Sequence, residues 1–152
     1  MLFGGARVYY KRPGNKGKNL TLIGAMSDKG LIATMTFPGS LNTANFLVFV
    51  DKILLPQLWI GAIVVMNNLP VHYKTTKALI ESVGAFVKFL PPYSPDLSPI
   101  ELCWSKLKEI LRSAKPRTWD ALNEAITMAV NVITDENALN WFNHCGLFFE
   151  PI

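Results

Sequence analysis

The stretch that most constrains the fold of this chain runs from Leu90 to Leu111 and reads LPPYSPDLSPIELCWSKLKEIL. Its prolines fix φ at about −65° and disfavour helix at each preceding residue. They stand at Pro91, Pro92, Pro95 and Pro99. The backbone up to Ser98 must therefore be extended or turned, and a helix can begin only at Pro99.

The start of this helix carries a carboxylate, Glu101. Ser98 is a good N-cap residue, Pro99 is tolerated at the first helical position, and Glu101 has the spacing of a capping box. The apolar residues that follow recur at helical spacing and predict a buried stripe. They are Ile100, Trp104, Leu107 and Leu111. Two interpretations of Glu101 stay open at this point: it caps its helix, or it binds a metal ion together with partners elsewhere in the chain.

Candidate partners lie upstream, where Gly61 to His72 reads GAIVVMNNLPVH. A short apolar, β-rich run that stops at Asn-Asn and a proline is typical of a buried parallel strand whose C-terminal end opens into a loop. Polar groups at such strand ends are favoured positions for sites in open α/β sheets.

Taken together, VVMNNLPVHY and LPPYSPDLSPIELCWSKLK closely resemble the second and third motifs of DDE transposases, in the mariner-like branch that includes many bacterial insertion-sequence enzymes. In that branch a hydrophobic strand ends in Asp-Asn-x-x-x-His, and a Tyr-Ser-Pro-x-x-Asn-Pro-Ile-Glu run supplies the last carboxylate. Here 33 residues, positions 68 to 100, separate Asn67 from Glu101, which fits the family spacing. The other matching motif positions are Asn68, His72, Tyr93, Ser94, Pro95 and Pro99.

The sequence departs from the family pattern at catalytic positions. Asn67 stands where the family has its second catalytic Asp, and an amide carries no charge. The family's first Asp lies on an opening strand ahead of a basic, glycine-containing loop; this chain begins at that loop, so we expect the residue to lie before Met1. Ser98 replaces the usual Asn, a milder change because both residues cap helices. Of the three expected carboxylates, Glu101 alone is present.

The resemblance implies an α/β, ribonuclease-H-like fold with a mixed sheet flanked by helices, here lacking its first strand. The missing strand would lie inside the sheet, so either Met1 to Tyr10 or another chain is expected to fill the gap. Residues 1–19 are interpreted as a basic loop region and residues 20–152 as a partial DDE transposase domain. The resemblance also implies two Mg²⁺ or Mn²⁺ ions, which activate a water or 3′-hydroxyl and stabilise the leaving oxygen. Asp96 is a less favoured additional ligand, since turn chemistry explains it equally well.

Periodicity and turn signals independently predict alternating strands and helices, as in an α/β domain. The predicted elements are a hairpin of Leu20 to Met26 and Leu31 to Phe37, a helix from Asn42 to Pro56, a strand at Ala62 to Met66, a helix at Val71 to Val83, a strand at Phe86 to Leu90, the helix from Pro99, a helix from Thr118 and a short helix with Leu139, Trp141 and Phe142. At 152 residues and 50% hydrophobic composition, one domain is expected.

The chain is basic, with a net charge of +4 and a pI of about 9.1. Its Lys and Arg residues cluster in two stretches, as suits a polyanion such as DNA. The first cluster is Arg7, Lys11, Arg12, Lys16 and Lys18, and the second is Lys106, Lys108, Arg112, Lys115 and Arg117. A merely solvated loop and helix face is the alternative.

Other classes of protein are disfavoured by what the sequence lacks. Cys103 and Cys145 show no disulfide framework and, with His72 and His144, no zinc-ligand spacing. The longest apolar run, Leu58 to Met66, is too short to cross a bilayer, so no membrane role is expected. A cytoplasmic protein that associates with the nucleoid when bound to DNA is the expectation.

Two functions remain open from the sequence. The first is a DDE transposase domain for metal-dependent phosphodiester cleavage and strand transfer, truncated and catalytically defective, with lost groups supplied by an upstream fragment or a second subunit. The second is a non-catalytic DNA-binding or subunit-binding relict that modulates an intact transposase. Metal binding would be weakened in either case, because Glu101 and Asn67 are a poor cage for Mg²⁺.

Overall fold

The computed structural model describes residues 2–11, 19–39, 41–67, 73–90, 98–116 and 118–147, and gives the backbone alone for residues 2–11, 19, 67, 73 and 119. Over these residues strands and helices alternate along much of the chain, as the periodicity predicts. The elements are β1 (Leu2–Lys11), β2 (Asn19–Ser27), β3 (Gly30–Pro38), α1 (Thr43–Val48), β4 (Ile63–Asn67), α2 (Tyr73–Ser82), β5 (Phe86–Leu90), α3 (Pro99–Ala114), α4 (Trp119–Val132) and α5 (Asp135–His144).

The strands form a mixed sheet in the order β3-β2-β1-β4-β5. β1 pairs antiparallel with β2, and β2 pairs antiparallel with β3. On the other side, β1 pairs parallel with β4 and β4 pairs parallel with β5. This arrangement confirms the predicted α/β fold with a mixed, ribonuclease-H-like sheet.

The β2–β3 hairpin forms where its turn residues predict it. Ser27 pairs with Gly30, so Asp28 and Lys29 are the two turn residues. Gly30 has a φ of 122°, a value that glycine adopts without strain. The backbone N–H of Lys29 donates to the Ser27 hydroxyl oxygen at 3.1 Å. Asp28 therefore occupies the turn of the predicted hairpin.

Helices cover both faces of the sheet. Alternate strand residues point to opposite faces, and apolar residues on each face pack against helices. On one face, Leu22 of β2 and Val65 of β4 belong to one buried cluster with residues of α3, α4 and α5. On the other face, Ile23 and Val64 belong to a second cluster with residues of α1 and α2. α1 continues into a π-helical segment, Phe49–Leu54, and a 3₁₀ turn, Leu55–Gln57, which the sequence pattern does not predict.

The centre of the sheet differs from the expectation of a missing strand. β1 lies between β2 and β4, with Leu2 beside Val64 and Phe3 beside Val65. The unpaired backbone groups of two interior strand edges need partners, and the first residues of the chain supply them. The structure thus corrects that part of the prediction in favour of its alternative, in which Met1 to Tyr10 fills the gap. Part of the predicted basic loop region, residues 1–19, is therefore a central strand.

A close approach between α3 and the sheet depends on a glycine. A Cβ atom built at Gly24 of β2 would lie 2.9 Å from Cη2 of Trp104, a separation too short for two carbon atoms. The indole of Trp104 therefore packs directly over the β2 backbone, and Trp104 is 1% exposed. This contact fixes the distance between the sheet and the helix that carries Glu101.

Candidate functional site

The candidate site is organised by the first turn of α3. The helix begins at Pro99, as the proline pattern predicts, and Ser98 has the extended backbone of an N-cap residue, with φ −115° and ψ 107°. Ile100, Cys103, Trp104, Leu107 and Leu111 are buried, which confirms the predicted apolar stripe. The stripe holds this end of the helix against the sheet and fixes the direction of the first turn.

The predicted capping box is not complete in the structure. The Ser98 side chain makes no hydrogen bond to the cap, although the backbone N–H of Glu101 donates to the Ser98 carbonyl at 3.1 Å. Ser98 is 3% exposed. Its buried side chain therefore does not accept a hydrogen bond from the unpaired backbone N–H groups at the start of the helix. The half of the predicted capping box that Ser98 would supply is therefore absent.

Glu101 shares one side of α3 with basic residues. Lys108 and Arg112 follow it by seven and eleven residues, which places both within about 20° of Glu101 on the helix circumference. Glu101 is half-buried, whereas Lys108 and Arg112 are exposed, and the row is about 16 Å long. Lys115, exposed and at the helix C-cap, follows the row. We call Lys108, Arg112 and Lys115 the α3 basic ridge.

Lys106 belongs to a different side of α3, about 140° round from Glu101. Its ammonium donates to the Asn137 side-chain oxygen at 3.1 Å, and that oxygen also accepts the backbone N–H of Thr134 at 3.1 Å. Asn137 and Thr134 form the capping box of α5. Lys106 therefore joins α3 to α5, and its predicted role in DNA binding stays a prediction that this contact disfavours.

The C-terminal end of β4 faces α3. Ile63 and Val65 pack in the same cluster as Ile100 and Trp104, and strand alternation gives position 67 the same face as these two residues. Asn67 is paired with Leu90 at the end of β5. The backbone thus brings the end of β4 and the start of α3 to one side of the sheet, in keeping with the predicted approach of Asn67 and Glu101, which stays a prediction.

The described residues do not fit a two-ion site. Mg²⁺ binds through hard, charged oxygens, and the amide of Asn67 is neutral. The strand in the central position, β1, contains no Asp or Glu; the first acidic residue of the chain is Asp28. Across the part of the chain that the structure describes, no three His, Cys, Asp or Glu side chains come together as a metal site. Among the described residues, Glu101 is therefore not part of a cluster of three such side chains, as the two-ion site that the family resemblance implies would require.

Several predicted site residues lie outside the described residues or are described by backbone alone. Those outside are Asn68, His72, Tyr93, Ser94, Pro95, Asp96, Arg12, Lys16, Lys18 and Arg117. Those with backbone alone are Asn67, Arg7 and Lys11. Sequence reasoning also missed Asn137 as the partner of Lys106. Its position three residues after Thr134 is a capping signal, but nothing in the pattern points to a contact 31 residues away.

Comparison with known proteins agrees with the α/β fold described above. The family described as DDE superfamily endonuclease matches residues 2–123. A solved structure of the Mos1 transposase catalytic domain with raltegravir and Mg is 18% identical, with a TM-score of 0.73, over 96% of this chain and 77% of that chain. The Mos1 mariner paired-end complex with Mn is 19% identical, with a TM-score of 0.71, over 96% of this chain and 52% of that one.

A more distant structure, an intasome of simian T-cell lymphotropic virus with a PP2A regulatory subunit, is 16% identical, with a TM-score of 0.58, over 82% of this chain and 46% of that chain. A comparison with curated proteins finds no match. At these identities the structural similarities establish the fold. Among the described residues, no helix has the length and apolar character needed to span a bilayer.

Proposed function

Since the chain belongs to the DDE superfamily of endonucleases, we propose that it is a transposase-type domain that binds DNA along the α3 basic ridge and is deficient in metal-dependent cleavage. The observation that carries the proposal is the shared side of α3: Glu101 at its start and Lys108 and Arg112 along it. A row of exposed cations that leads to a carboxylate suits a phosphate backbone that passes the site.

The cofactor of such a domain is Mg²⁺ or Mn²⁺. The related Mos1 catalytic domain was solved with each of these ions. In this chain Glu101 would be their principal ligand, and Asn67 would offer only a neutral oxygen. Because one carboxylate leaves most of the ionic charge uncompensated, we propose that the ions bind weakly and that cleavage and strand transfer are lost.

DNA is the proposed partner. Related Mos1 structures are described as a pre-cleavage transpososome and as a paired-end complex with the left transposon end. A second transposase subunit is a further proposed partner, as is a cytoplasmic location at the nucleoid. Phosphate contacts dominate binding of this kind, so affinity should tolerate changes in DNA sequence and fall steeply with salt.

The test measures binding of a fluorescent DNA duplex by anisotropy over a range of salt concentrations. Lys108→Ala with Arg112→Ala should weaken binding about tenfold at low salt and lower the salt slope by about two, one for each lost phosphate contact. The matched control is Lys29→Ala with Lys74→Ala, which removes two exposed lysines from the hairpin turn and from α2. Equal losses in both variants, or an affinity that ignores salt, would refute the proposal.

A second candidate function is that of a non-catalytic modulator of an intact transposase. The incomplete donor set favours it, because a domain that holds DNA or a subunit without cutting would compete with an active enzyme. Adding this protein to a cleavage reaction of an intact transposase of the family should then inhibit it. Inhibition that disappears with the Lys108→Ala, Arg112→Ala variant indicates competition for DNA, and inhibition that persists indicates binding to the subunit.

A further inference from the structure

The outer side of α4 carries an apolar stripe that is partly buried at its N-terminal end, where Ala125 packs against the core, and exposed at its C-terminal end. Ala121, Ala125, Met128 and Val132 recur at spacings of four, three and four residues, so they lie within about 60° of one another on the helix. Met128 is 68% exposed and Val132 is 48% exposed, whereas the core side of the same helix, which includes Leu122, is buried. We call these four residues the α4 stripe.

The segment of the chain that contains the α4 stripe is acidic, in contrast to the rest of the chain. All 15 Lys and Arg residues precede residue 118, whereas residues 118–147 contain four carboxylates and no Lys or Arg. These carboxylates are Asp120, Glu124, Asp135 and Glu136, and all four are exposed. None of them takes part in an ion pair with another described residue.

The apolar stripe and the carboxylates together indicate the chemistry of a partner. An apolar stripe on one helix, about 16 Å long, fits the apolar side of a second helix of similar length. The exposed carboxylates of α4 itself, Asp120 and Glu124, form an acidic margin that would attract cations on the second helix and repel a nucleic acid or an anionic membrane. A second copy would bring its own Asp120 and Glu124 to this surface, and like charges oppose such a pair.

We propose that the α4 stripe and its acidic margin bind a basic amphipathic helix of another protein. This surface does not depend on the proposed cleavage or DNA-binding function, because it uses neither Glu101 nor the α3 basic ridge. Apolar contact with Met128 and Val132 would provide most of the affinity, and the carboxylates would set the orientation and the preference for a basic partner.

The test uses a fluorescein-labelled synthetic peptide with leucines on one helical stripe and lysines beside it. The full protein should bind it at least about tenfold more tightly than a scrambled peptide of the same composition or a peptide with glutamate in place of lysine. Met128→Gln with Val132→Gln should weaken binding about tenfold, since both side chains are exposed and their loss leaves the core intact. Ile60→Gln, at a position 87% exposed on a loop before β4, is the matched apolar control and should leave binding unchanged.

A second pair of substitutions tests the acidic margin. Asp120→Asn with Glu124→Gln should weaken binding about fivefold and reduce its salt dependence, because fewer ion pairs form. Circular dichroism of each variant must match the parent. Equal binding of the scrambled peptide, or an equal loss in Ile60→Gln, would overturn the proposal. So would a concentration-dependent dimer, seen by light scattering, that Met128→Gln abolishes, because the occupant would then be a second copy.

Discussion

At the scale of single residues, Cys103 shows how burial in α3 determines chemistry. Burial raises the pKa of its thiol from 9.0 to about 12, against a smaller lowering by Lys106. The unfolded chain therefore loses this proton at about pH 9, while the folded protein keeps it up to about pH 12. Within that window the unfolded state binds fewer protons, so the free energy of unfolding must fall as pH rises.

We predict that the free energy of unfolding, measured in urea, is insensitive to Cys103 below pH 9. It should decrease above that by up to about 1.4 kcal/mol per pH unit. Cys103→Ala is the control, because its pH profile keeps the contributions of lysines and tyrosines and loses that of the thiol. Parallel profiles for the two proteins between pH 9 and 11 would show that the thiol ionises equally well in the folded state.

The amide at position 67 gives a second prediction at this scale. The protein should not nick supercoiled plasmid with Mg²⁺ or Mn²⁺ above a chelated control, and Asn67→Asp should remain inactive. One restored carboxylate is insufficient because β1 contains no Asp or Glu and a two-ion site needs charge on more than one strand. Robust metal-dependent nicking by the unmodified protein that Glu101→Gln abolishes would mean that other residues complete the site.

At the scale of elements, α3 has two polar sides with different roles. Lys106 reaches Asn137 in the capping box of α5, whereas Lys108 and Arg112 are exposed on the other side. We predict that Lys106→Ala lowers the free energy of unfolding by about 1 kcal/mol, since a part-buried hydrogen bond to a charged donor is lost. DNA affinity should change little. Lys108→Ala should show the reverse, with a change in stability below about 0.5 kcal/mol.

Urea unfolding and DNA anisotropy on the same two variants separate these roles. Asn137→Ala is a useful partner for Lys106→Ala, because a double-mutant cycle isolates the contact from the loss of the cap. If Lys106→Ala weakens DNA binding as much as Lys108→Ala does and leaves stability unchanged, the assignment of the two sides is wrong.

Element boundaries were predictable where local chemistry decides them. Proline restricts φ and the residue before it, so α3 begins at Pro99 as predicted, and β5 occupies Phe86–Leu90 as predicted. The π-helical segment Phe49–Leu54 was not predictable, because a widened turn depends on how the core is packed rather than on sequence period. Ser98 was misjudged for the same reason, since its burial competes with capping.

At the scale of the whole molecule, the positive charges are confined to the first 117 residues of the chain. Every Lys and Arg precedes residue 118, so the sheet, α2, α3 and the segments between the elements carry the cations, whereas the Asp and Glu residues of α4 and α5 have no Lys or Arg beside them in the sequence. The charge pattern is visible in the sequence, but the fold is needed to show which cations make structural contacts and which are exposed. The basic stretch from Lys106 to Arg117 reads as one cluster, and the helix geometry divides it between a structural contact and an exposed ridge.

The central strand was the part of the architecture least accessible to sequence reasoning. Gly4 and Gly5 lower strand propensity, and residues 1–19 are interpreted from the sequence as a basic loop region. In the structure β1 extends over Leu2–Lys11 because the backbone groups of β2 and β4 face it from both sides. Backbone pairing with both neighbouring strands therefore outweighs the low strand propensity of Gly4 and Gly5.

We predict that removal of residues 1–11 disrupts the whole domain. β2 and β4 would each keep an unpaired edge in the interior of the sheet, and α3, which packs against β1, would lose its support. Exposed edges of this kind pair with other chains, so the shortened protein should aggregate or lose its cooperative thermal transition.

Size-exclusion chromatography with light scattering and far-ultraviolet circular dichroism measure both outcomes. Removal of residues 148–152 is the control. A monomer with an unchanged melting temperature after loss of residues 1–11 would mean that β2 and β4 close the sheet without this strand.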